Sequence, residues 1–369
     1  METQKNKDGR LMSLDALRGF DMLFIMGLAG WIVSLCDFFP ESGVMQWLSG
    51  QMDHVKWNGL THHDTIFPLF LFVAGISFPF SLAKQRAQGK PIRYIYYRIV
   101  KRGTILVLLG CVYNGIFRLD FENMRYASVL GRIGLAWMFA ALLFVNFKTG
   151  VNILLSVIIL TGYWLLLWLI PAEADPYSLE NNLAGKIDMI LLPGRLYEGI
   201  FDPEGLFSTL PAIVTAMLGM FTGQLVQLSD RQCSGRRKVL YMLMAGIVLI
   251  LAGWLWGYAF PVNKKLWTST FVCAVAGYSL LLFALFYYVI DVKGYVRWSF
   301  FFRIVGLNSI TIYLAQRIVD FGQISGFFVG GLASKCPATL AACIHATGYI
   351  AVCWLFLYFL YRKKIFLKV

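Results

Sequence analysis

The sequence predicts an all-α, polytopic integral membrane protein with about ten transmembrane helices, and its composition and apolar runs lead to this fold class. Hydrophobic residues make up 58% of the 369 residues, charged residues make up only 14%, and the mean hydropathy is +0.65. Soluble domains carry roughly 25% charged residues, so a soluble fold could not bury this much apolar surface. The apolar runs are too long for barrel strands, and helices are the other structure that satisfies the backbone inside lipid.

Apolar runs of about 20 residues are long enough to cross the hydrocarbon core of a bilayer. Such runs begin near Leu11, His62, Ile99, Ala127, Val151, Leu206, Val239, Trp267, Ser299 and Ala338. The first run, from Leu11 to Cys36, lacks a small-residue cleavage site. It therefore predicts a retained first helix and not a signal peptide.

The net charge of +13 is spread over many short segments next to helix ends. If the N-terminus is inside, most of the 33 lysines and arginines fall on inside segments. The positive-inside rule then places both termini in the cytoplasm, with tails at residues 1–10 and 362–369 flanking a membrane domain at 11–361. Scattered basic residues at helix ends mark topology and lipid headgroups, so nucleic acid is not an expected partner.

A polar segment precedes the second predicted helix, on the side opposite the cytoplasm, and it contains His54 and Asp64. Imidazole is the side chain that can act as a base near neutral pH without a shifted pKa. A carboxylate within reach would fix the tautomer of the ring. We therefore predict His54 and Asp64 as a catalytic pair, formed if the intervening residues fold back.

The same segment also contains His62 and His63, which raises the question of a metal site. Adjacent residues on a helix point about 100° apart, so these two rings cannot both face one ion. No metal is therefore expected, and the simpler interpretation is a pair of interfacial polar residues at the start of a helix.

Charged residues inside predicted spans are rare, and each is a candidate for a site because a charge in lipid is costly. In the first helix, Arg18 lies one turn from Asp15 and Asp21, which makes it either a ligand contact or half of a self-neutralised helix end. On the cytoplasmic side, Arg98 and Arg102 share one face of the third helix, where guanidinium groups suit a phosphate-bearing ligand. Membrane anchoring is the alternative for these two arginines.

Several ordered motifs resemble the heparan-α-glucosaminide N-acetyltransferase family of transmembrane acyltransferases. The matching blocks are SLDALRG at 13–19, HVKWNGLTHHDTIFP at 54–68, VLGR at 129–132, DPEG at 202–205, PVNKKLW at 261–267, DVKG at 291–294 and GLNSI at 306–310. Each block alone is weak, but their common order over most of the chain is specific. The chain resembles a bacterial-type member, and a bacterial inner membrane is the expected location.

The resemblance implies acetyl-CoA as the donor, an amino sugar or sugar hydroxyl as the acceptor, and His54 as the acetyl-transfer residue or general base. It also suggests Arg132 as a further contact for CoA, and a homodimer. Predicted acceptor contacts are Trp57, Asn58, Asp202, Glu204 and Asn308. For Asp202, followed by proline, a helix N-cap is the competing interpretation.

Two other functions remain open from the sequence. A multi-pass sugar transporter fits the composition and the intramembrane charges equally well, and it would not need CoA. A non-catalytic membrane partner protein that kept the fold would bind no CoA at all. The ordered blocks and the pairing of His54 with Asp64 favour the enzyme.

Overall fold

The computed structural model describes residues 11–170 and 175–367, and within these ranges the chain is helical with short turns and no β-strand. One isolated bridge pairs Arg125 with Gly194. The all-α prediction is therefore confirmed for the described part of the chain. The predicted N-terminal tail, residues 1–10, lies outside the described residues, as do the last two residues of the predicted C-terminal tail.

Most of the described chain forms α-helices that are joined by short loops. In chain order the helices are α1 Met12–Leu23, α2 Ala29–Cys36, α3 Gly43–Gly50, α4 His62–Ala87, α5 Ile92–Tyr113, α6 Val129–Asn146, α7 Thr149–Leu169, α8 Leu183–Leu191, α9 Thr209–Gln227, α10 Gly235–Trp256, α11 Ser269–Tyr287, α12 Phe300–Leu307, α13 Ser309–Ile318, α14 Phe321–Ala333 and α15 Ala338–Arg362. A π-helical turn at Phe24–Leu28 joins α1 to α2, and another at Tyr288–Val292 extends α11.

Eight helical segments in the described residues are long and apolar enough to cross a membrane, which makes this a multi-pass membrane protein. They are the segments Met12–Cys36, His62–Ala87, Val129–Asn146, Thr149–Leu169, Thr209–Gln227, Gly235–Trp256, Ser269–Val292 and Ala338–Arg362. All eight lie close to predicted runs. Helix formation is expected here because only a helix satisfies every backbone group within one segment in lipid.

The other two predicted spans differ from these eight in composition or continuity. Helix α5 has 22 residues, but Arg98, Lys101 and Arg102 interrupt its apolar run. The predicted ninth span is divided into α12 and α13 at Asn308, whose backbone leaves the helical region with φ −128° and ψ 31°. The total of ten and the cytoplasmic position of both termini stay predictions.

The described chain separates into two compact units. Unit 1 comprises residues 11–55, 61–66 and 283–367, and unit 2 comprises residues 56–60, 67–170 and 175–282. The chain thus passes from unit 1 to unit 2 and back between Val55 and Thr61, inside the motif that contains His54.

Close backbone contact between helices α1 and α12 characterises unit 1. A Cβ atom at Gly19 would lie 1.7 Å from the carbonyl oxygen of Phe302, and one at Gly306 would lie 1.9 Å from that of Asp15. Glycine at both positions lets the two backbones touch, as is common where helices associate in membranes. This contact fixes α1 against the helix that ends at Asn308.

A large apolar core holds unit 2 together, with members from α4, α5, α6, α7, α9 and α11. Aromatic rings pack edge to face in this core, including Phe67 against Trp267 at 5.0 Å and Phe78 against Trp137 at 5.4 Å. Trp267 is fully buried in this core.

Candidate active site

His54 and Asp64 form the hydrogen-bonded pair that the sequence predicts, within unit 1. The Nδ1 atom of His54 lies 2.7 Å from Oδ1 of Asp64. The other carboxylate oxygen accepts from the main-chain N–H of Val55 at 3.4 Å, from that of Thr61 at 3.2 Å, and from the Thr61 hydroxyl at 2.9 Å. Asp64 is fully buried. These contacts hold both oxygens of the carboxylate in place.

The segment before α4 folds back on itself, and this brings residues ten positions apart into contact. The Thr61 hydroxyl lies 2.6 Å from the carbonyl oxygen of Asp53. The side chain and carbonyl of Gln51 accept from the main-chain N–H groups of His62 and His63, each at 3.0 Å. Gln51 thereby satisfies two of the N–H groups that the first turn of a helix leaves open.

The geometry sets the tautomer of His54. A carboxylate facing Nδ1 requires a proton on that nitrogen, so in the neutral ring Nε2 carries the lone pair. The side chain of His54 is 51% exposed, whereas that of Asp64 is 1% exposed. The pair is therefore a buried acid that orients a solvent-accessible base.

The two histidines on the first turn of α4 face different neighbours. His63 contacts His54 edge to face, with ring centroids 4.6 Å apart. His62 contacts Phe24 at 4.4 Å. The prediction that these adjacent rings point in different directions is confirmed. Sequence reasoning treated both as interfacial residues, and only the fold reveals that His63 lies against the base.

In unit 2, Trp57 and Asn58 both have partners within that unit. The indole Nε1–H of Trp57 donates to the carbonyl oxygen of Tyr177 at 2.8 Å, and Lys265 Nζ lies 5.8 Å from the centre of the indole ring. Asn58 Oδ1 accepts from the side-chain amide of Asn263 at 3.1 Å. Asn58 remains exposed and Trp57 is partly exposed, so both can still meet a ligand.

Asp202 and Glu204, also in unit 2, pair with an arginine that sequence reasoning missed. Arg125 donates to both carboxylate oxygens of Asp202, at 2.6 and 2.7 Å, and also to Glu204. Asp202 additionally accepts from the main-chain N–H groups of Tyr197 at 3.1 Å and of Glu204 at 2.9 Å. The guanidinium group lies 4.7 Å from the centre of the Tyr197 ring.

This cluster replaces the helix cap that was the competing interpretation for Asp202. The next helix, α9, begins at Thr209 after Ser208, so Asp202 does not cap it. Burial lowers the pKa of Arg125, but hydrogen bonds and charges from Asp202 and Glu204 outweigh burial and raise it. Two acids in one short motif were a signal that a basic partner was needed, although the sequence did not identify which residue.

Arg132, predicted to contact CoA, is buried near the start of α6 in unit 2. Its Nη2 donates to the carbonyl oxygen of Gly205 at 3.2 Å and to the hydroxyl of Ser208, and its guanidinium lies 5.0 Å from the centre of the Trp267 ring. Nε and Nη1 have no hydrogen-bond acceptor among the described residues. These donors on a buried cation suit an anionic ligand.

Asp188 on α8 is a second residue of unit 2 that the sequence did not single out. Its Oδ1 accepts from the main-chain N–H of Leu206 at 2.9 Å, while Oδ2 has no partner among the described residues. Oδ2 occupies the space where a Cβ of Gly205 would lie, at 1.6 Å. Burial raises the pKa of Asp188 to about 6, against the lowering effect of the Leu206 hydrogen bond. No sequence motif surrounds Asp188, so only the fold reveals it.

The remaining predicted contacts for the donor lie in different units. In unit 2, the Arg102 guanidinium lies 4.2 Å from the centre of the Trp137 ring, and Arg98 on the same helix is exposed. In unit 1, Arg18 lies 3.4 Å from Asp15, as the spacing predicts.

Asn308, a predicted acceptor contact, is buried at the break between α12 and α13 in unit 1. Its side-chain amide donates to the carbonyl oxygen of Ile365 at 3.1 Å, and its Oδ1 accepts from the Thr311 hydroxyl at 3.3 Å. These bonds give Asn308 a structural role in joining the break to the chain after α15. Contact with an acceptor stays a prediction.

The sequence comparisons agree with the motif resemblance. No family model matches the chain. Heparan-α-glucosaminide N-acetyltransferase from Homo sapiens is 25% identical over 98% of this chain, and the enzyme of that name from Mus musculus is 26% identical over 86% of it. The chain spans 60% and 55% of the lengths of these two relatives. The resemblance deduced from the motifs is thus confirmed over nearly the whole chain.

Proposed function

We propose that this chain, a heparan-α-glucosaminide N-acetyltransferase-like membrane protein, transfers acetyl groups from cytoplasmic acetyl-CoA to an amino sugar or sugar hydroxyl on the extracytoplasmic side. The observation that carries the proposal is the His54–Asp64 pair, with a 2.7 Å contact between Nδ1 and Oδ1. An oriented imidazole with a basic Nε2 is what acyl transfer from a thioester requires. The names of both relatives describe the same class of reaction.

In the proposed reaction, Asp64 keeps the proton on Nδ1 of His54 and stabilises the positive charge that develops on the ring. Nε2 then either attacks the thioester carbonyl or takes a proton from the acceptor. Both routes use the exposed face of His54. Neither route involves a metal, and acetyl-CoA is a co-substrate that is consumed in each cycle.

Arginines are the proposed contacts for the phosphate groups of CoA: Arg18, Arg98, Arg102 and Arg132. Among them Arg132 has the strongest support, because it is buried and keeps two nitrogens without an acceptor in the described chain. For the acceptor, exposed Asn58 and partly exposed Trp57 offer a hydrogen-bonding amide and an aromatic face. Asp202 and Glu204 already neutralise Arg125, which weakens their case as acceptor contacts.

The proposal includes a location and a topology. Both termini would lie in the cytoplasm of a bacterial cell, with His54 on the far side of its inner membrane. The charge distribution supports this orientation. A homodimer is proposed on the family resemblance alone.

The test uses purified, detergent-solubilised protein with acetyl-CoA and a panel of amino sugars and neutral sugars, and follows thiol release. We expect release that requires a sugar, and a loss of about 100-fold or more in His54→Ala. His345→Ala is a matched control, because His345 is an exposed histidine on a different helix, α15.

Full acetyl transfer by a folded His54→Ala protein would contradict the mechanism. Measurable CoA binding without release by any sugar would mean a different acceptor class. Absence of CoA binding, together with sugar uptake into vesicles, would instead support the transporter.

A further inference from the structure

We propose that His63 is a second catalytic base, which removes the proton from the acceptor's amine or hydroxyl while His54 carries the acetyl group. This inference rests on the proposed acetyltransferase function and assigns a role that the reaction needs but that His54 cannot fill at the same time. The observation that carries it is the direct ring contact between His63 and His54, with centroids 4.6 Å apart.

The two ring nitrogens of His54 differ in their surroundings. Nδ1 faces the buried carboxylate of Asp64 at 2.7 Å, so Nε2 is the ring nitrogen that can bond to an acetyl carbon. Once Nε2 holds an acetyl group, it cannot accept a proton. An amino sugar is protonated for part of the time near neutral pH, and an ammonium has no lone pair with which to attack. A second base beside the acetylated ring would convert the ammonium into the free amine that can attack.

His63 lies where a base for the acceptor is needed. An acceptor that attacks an acetyl group on His54 must approach the His54 ring, and His63 is the titratable ring in contact with it. The main chain at His63 is held in place, because its N–H donates to the carbonyl oxygen of Gln51 at 3.0 Å and the next residue is Asp64. His62, by contrast, contacts Phe24, so it does not share this position.

The proposed reaction has two stages, acetylation of His54 and transfer to the acceptor. Nε2 of His54 attacks the thioester carbonyl carbon, the C–S bond breaks, and CoA leaves as the thiolate. A neutral ring nitrogen of His63 takes one proton from the acceptor ammonium, and the freed amine attacks the acetyl carbon. The bond from that carbon to Nε2 breaks, the amide nitrogen loses its second proton to Nε2, and both imidazolium rings release their protons to solvent.

The test compares two acceptors that differ in their need for a base. Glucosamine is partly protonated near neutral pH, whereas aniline is a weakly basic amine that is neutral in the same buffer. We expect His63→Gln and His63→Phe to lower the rate with glucosamine about 100-fold, and the rate with aniline by less than about threefold. Phenylalanine at position 63 keeps a ring against His54 but has no ring nitrogen. A lower rate in His63→Phe therefore cannot be assigned to lost packing. His62→Gln, a change of the same kind one residue away, is the control.

Exchange of labelled CoA into acetyl-CoA, which needs no acceptor, provides a second measurement. We expect this exchange to survive in His63→Phe and to disappear in His54→Ala. Equal losses with glucosamine and aniline, or full glucosamine activity in His63→Phe, would overturn the role of His63. If the wild-type protein acetylated neither amine nor any sugar and showed no exchange, the proposed function would itself be wrong, and the inference with it.

Discussion

Asp64 in unit 1 and Asp202 in unit 2 are both fully buried carboxylates that accept several hydrogen bonds, yet they serve different purposes. Asp64 faces the half-exposed imidazole of His54, a type of side chain that can act as a base. Asp202 faces the Arg125 guanidinium, which stays charged at every accessible pH. The partner, and not the carboxylate, decides whether such a cluster can perform proton chemistry.

The partners of the two carboxylates also differ in exposure. The partner of Asp64 is 51% exposed, so a substrate can reach it. Arg125 is only 19% exposed and its donors are directed to Asp202 and Glu204. Changes around Asp64 should therefore affect turnover, whereas changes around Asp202 should affect folding.

The largest expected effect is from Asp64→Asn. An amide can donate to Nδ1 of His54 and would favour the tautomer with the proton on Nε2, which is then no longer basic. We expect acetyl transfer to fall by about 1,000-fold or more, by analogy with the same change in a serine protease triad. The rate of thiol release at saturating sugar measures this loss.

A neighbouring acid provides the control for Asp64→Asn. Asp53 is exposed, and among the described residues its carboxylate accepts from the main-chain N–H of His54, at 2.7 Å. Asp53→Asn keeps an acceptor oxygen there, so we expect a loss of about tenfold or less. If both variants lost activity equally, the special role of Asp64 would have to be abandoned.

The next effect concerns the stability of unit 2. Arg125→Ala leaves two acids, one fully buried, without their cation, and breaking a buried ion pair in this way costs about 3 kcal/mol. We expect a clear drop in the melting temperature, with the remaining folded protein still active. The melting temperature of Arg125→Lys should lie between those of Arg125→Ala and the wild type, because lysine keeps the charge but cannot bind Asp202 with two parallel donors.

A more exposed ion pair in the same unit tests whether burial is the cause. Lys265 lies 2.6 Å from Glu198, and both side chains are about one-quarter exposed. Exposed pairs contribute about 1 kcal/mol or less, so Lys265→Ala should barely change the melting temperature. A loss of activity without a loss of stability in Arg125→Ala would reverse the comparison and return Asp202 to the list of acceptor contacts.

The sequence predicted the His54–Asp64 pair but not the Arg125 cluster, for a physical reason. His54 and Asp64 lie ten residues apart in one polar segment between helices, so a local turn is enough to join them. Arg125 and Asp202 are 77 residues apart and meet only through tertiary packing. Hydropathy similarly predicted the eight spans, because each span depends on its own composition. The break between α12 and α13 was not predicted, because Asn308 at this break bonds to Ile365, which follows α15.

Asp188 is a third kind of buried carboxylate, because no cation within the described ranges of the chain donates a hydrogen bond to it. Burial raises its pKa from 3.8 to about 6, so the folded state binds this proton more tightly than the unfolded chain does. Protonated Asp188 therefore contributes its full stabilisation below about pH 4. This contribution to the free energy of unfolding, at most about 3 kcal/mol, is lost as the pH rises through 6. Asp188→Asn keeps the oxygen that accepts from Leu206 and removes the titration.

The measurement for Asp188 is a series of melting curves from pH 4 to pH 7. We expect the melting temperature of Asp188→Asn to improve relative to wild type as the pH rises across this range. Asp202→Asn should show no such gain, because it removes the partner of Arg125. A pH-independent difference between Asp188→Asn and wild type would mean that the Asp188 carboxyl group is not desolvated in the folded protein.

The smallest effect expected is from Thr61→Val, which removes one donor to Asp64 without changing the side chain's shape. The Thr61 hydroxyl lies 2.9 Å from Oδ2 of Asp64 and 2.6 Å from the carbonyl oxygen of Asp53. Losing this hydrogen bond should cost about 1 kcal/mol of stability and reduce acetyl transfer several-fold, because Asp64 still holds Nδ1 of His54. Thr61→Ser, which keeps the hydroxyl, should retain the wild-type rate. A loss in Thr61→Val as large as that in Asp64→Asn would show that the position of the carboxylate, and not its charge, limits turnover.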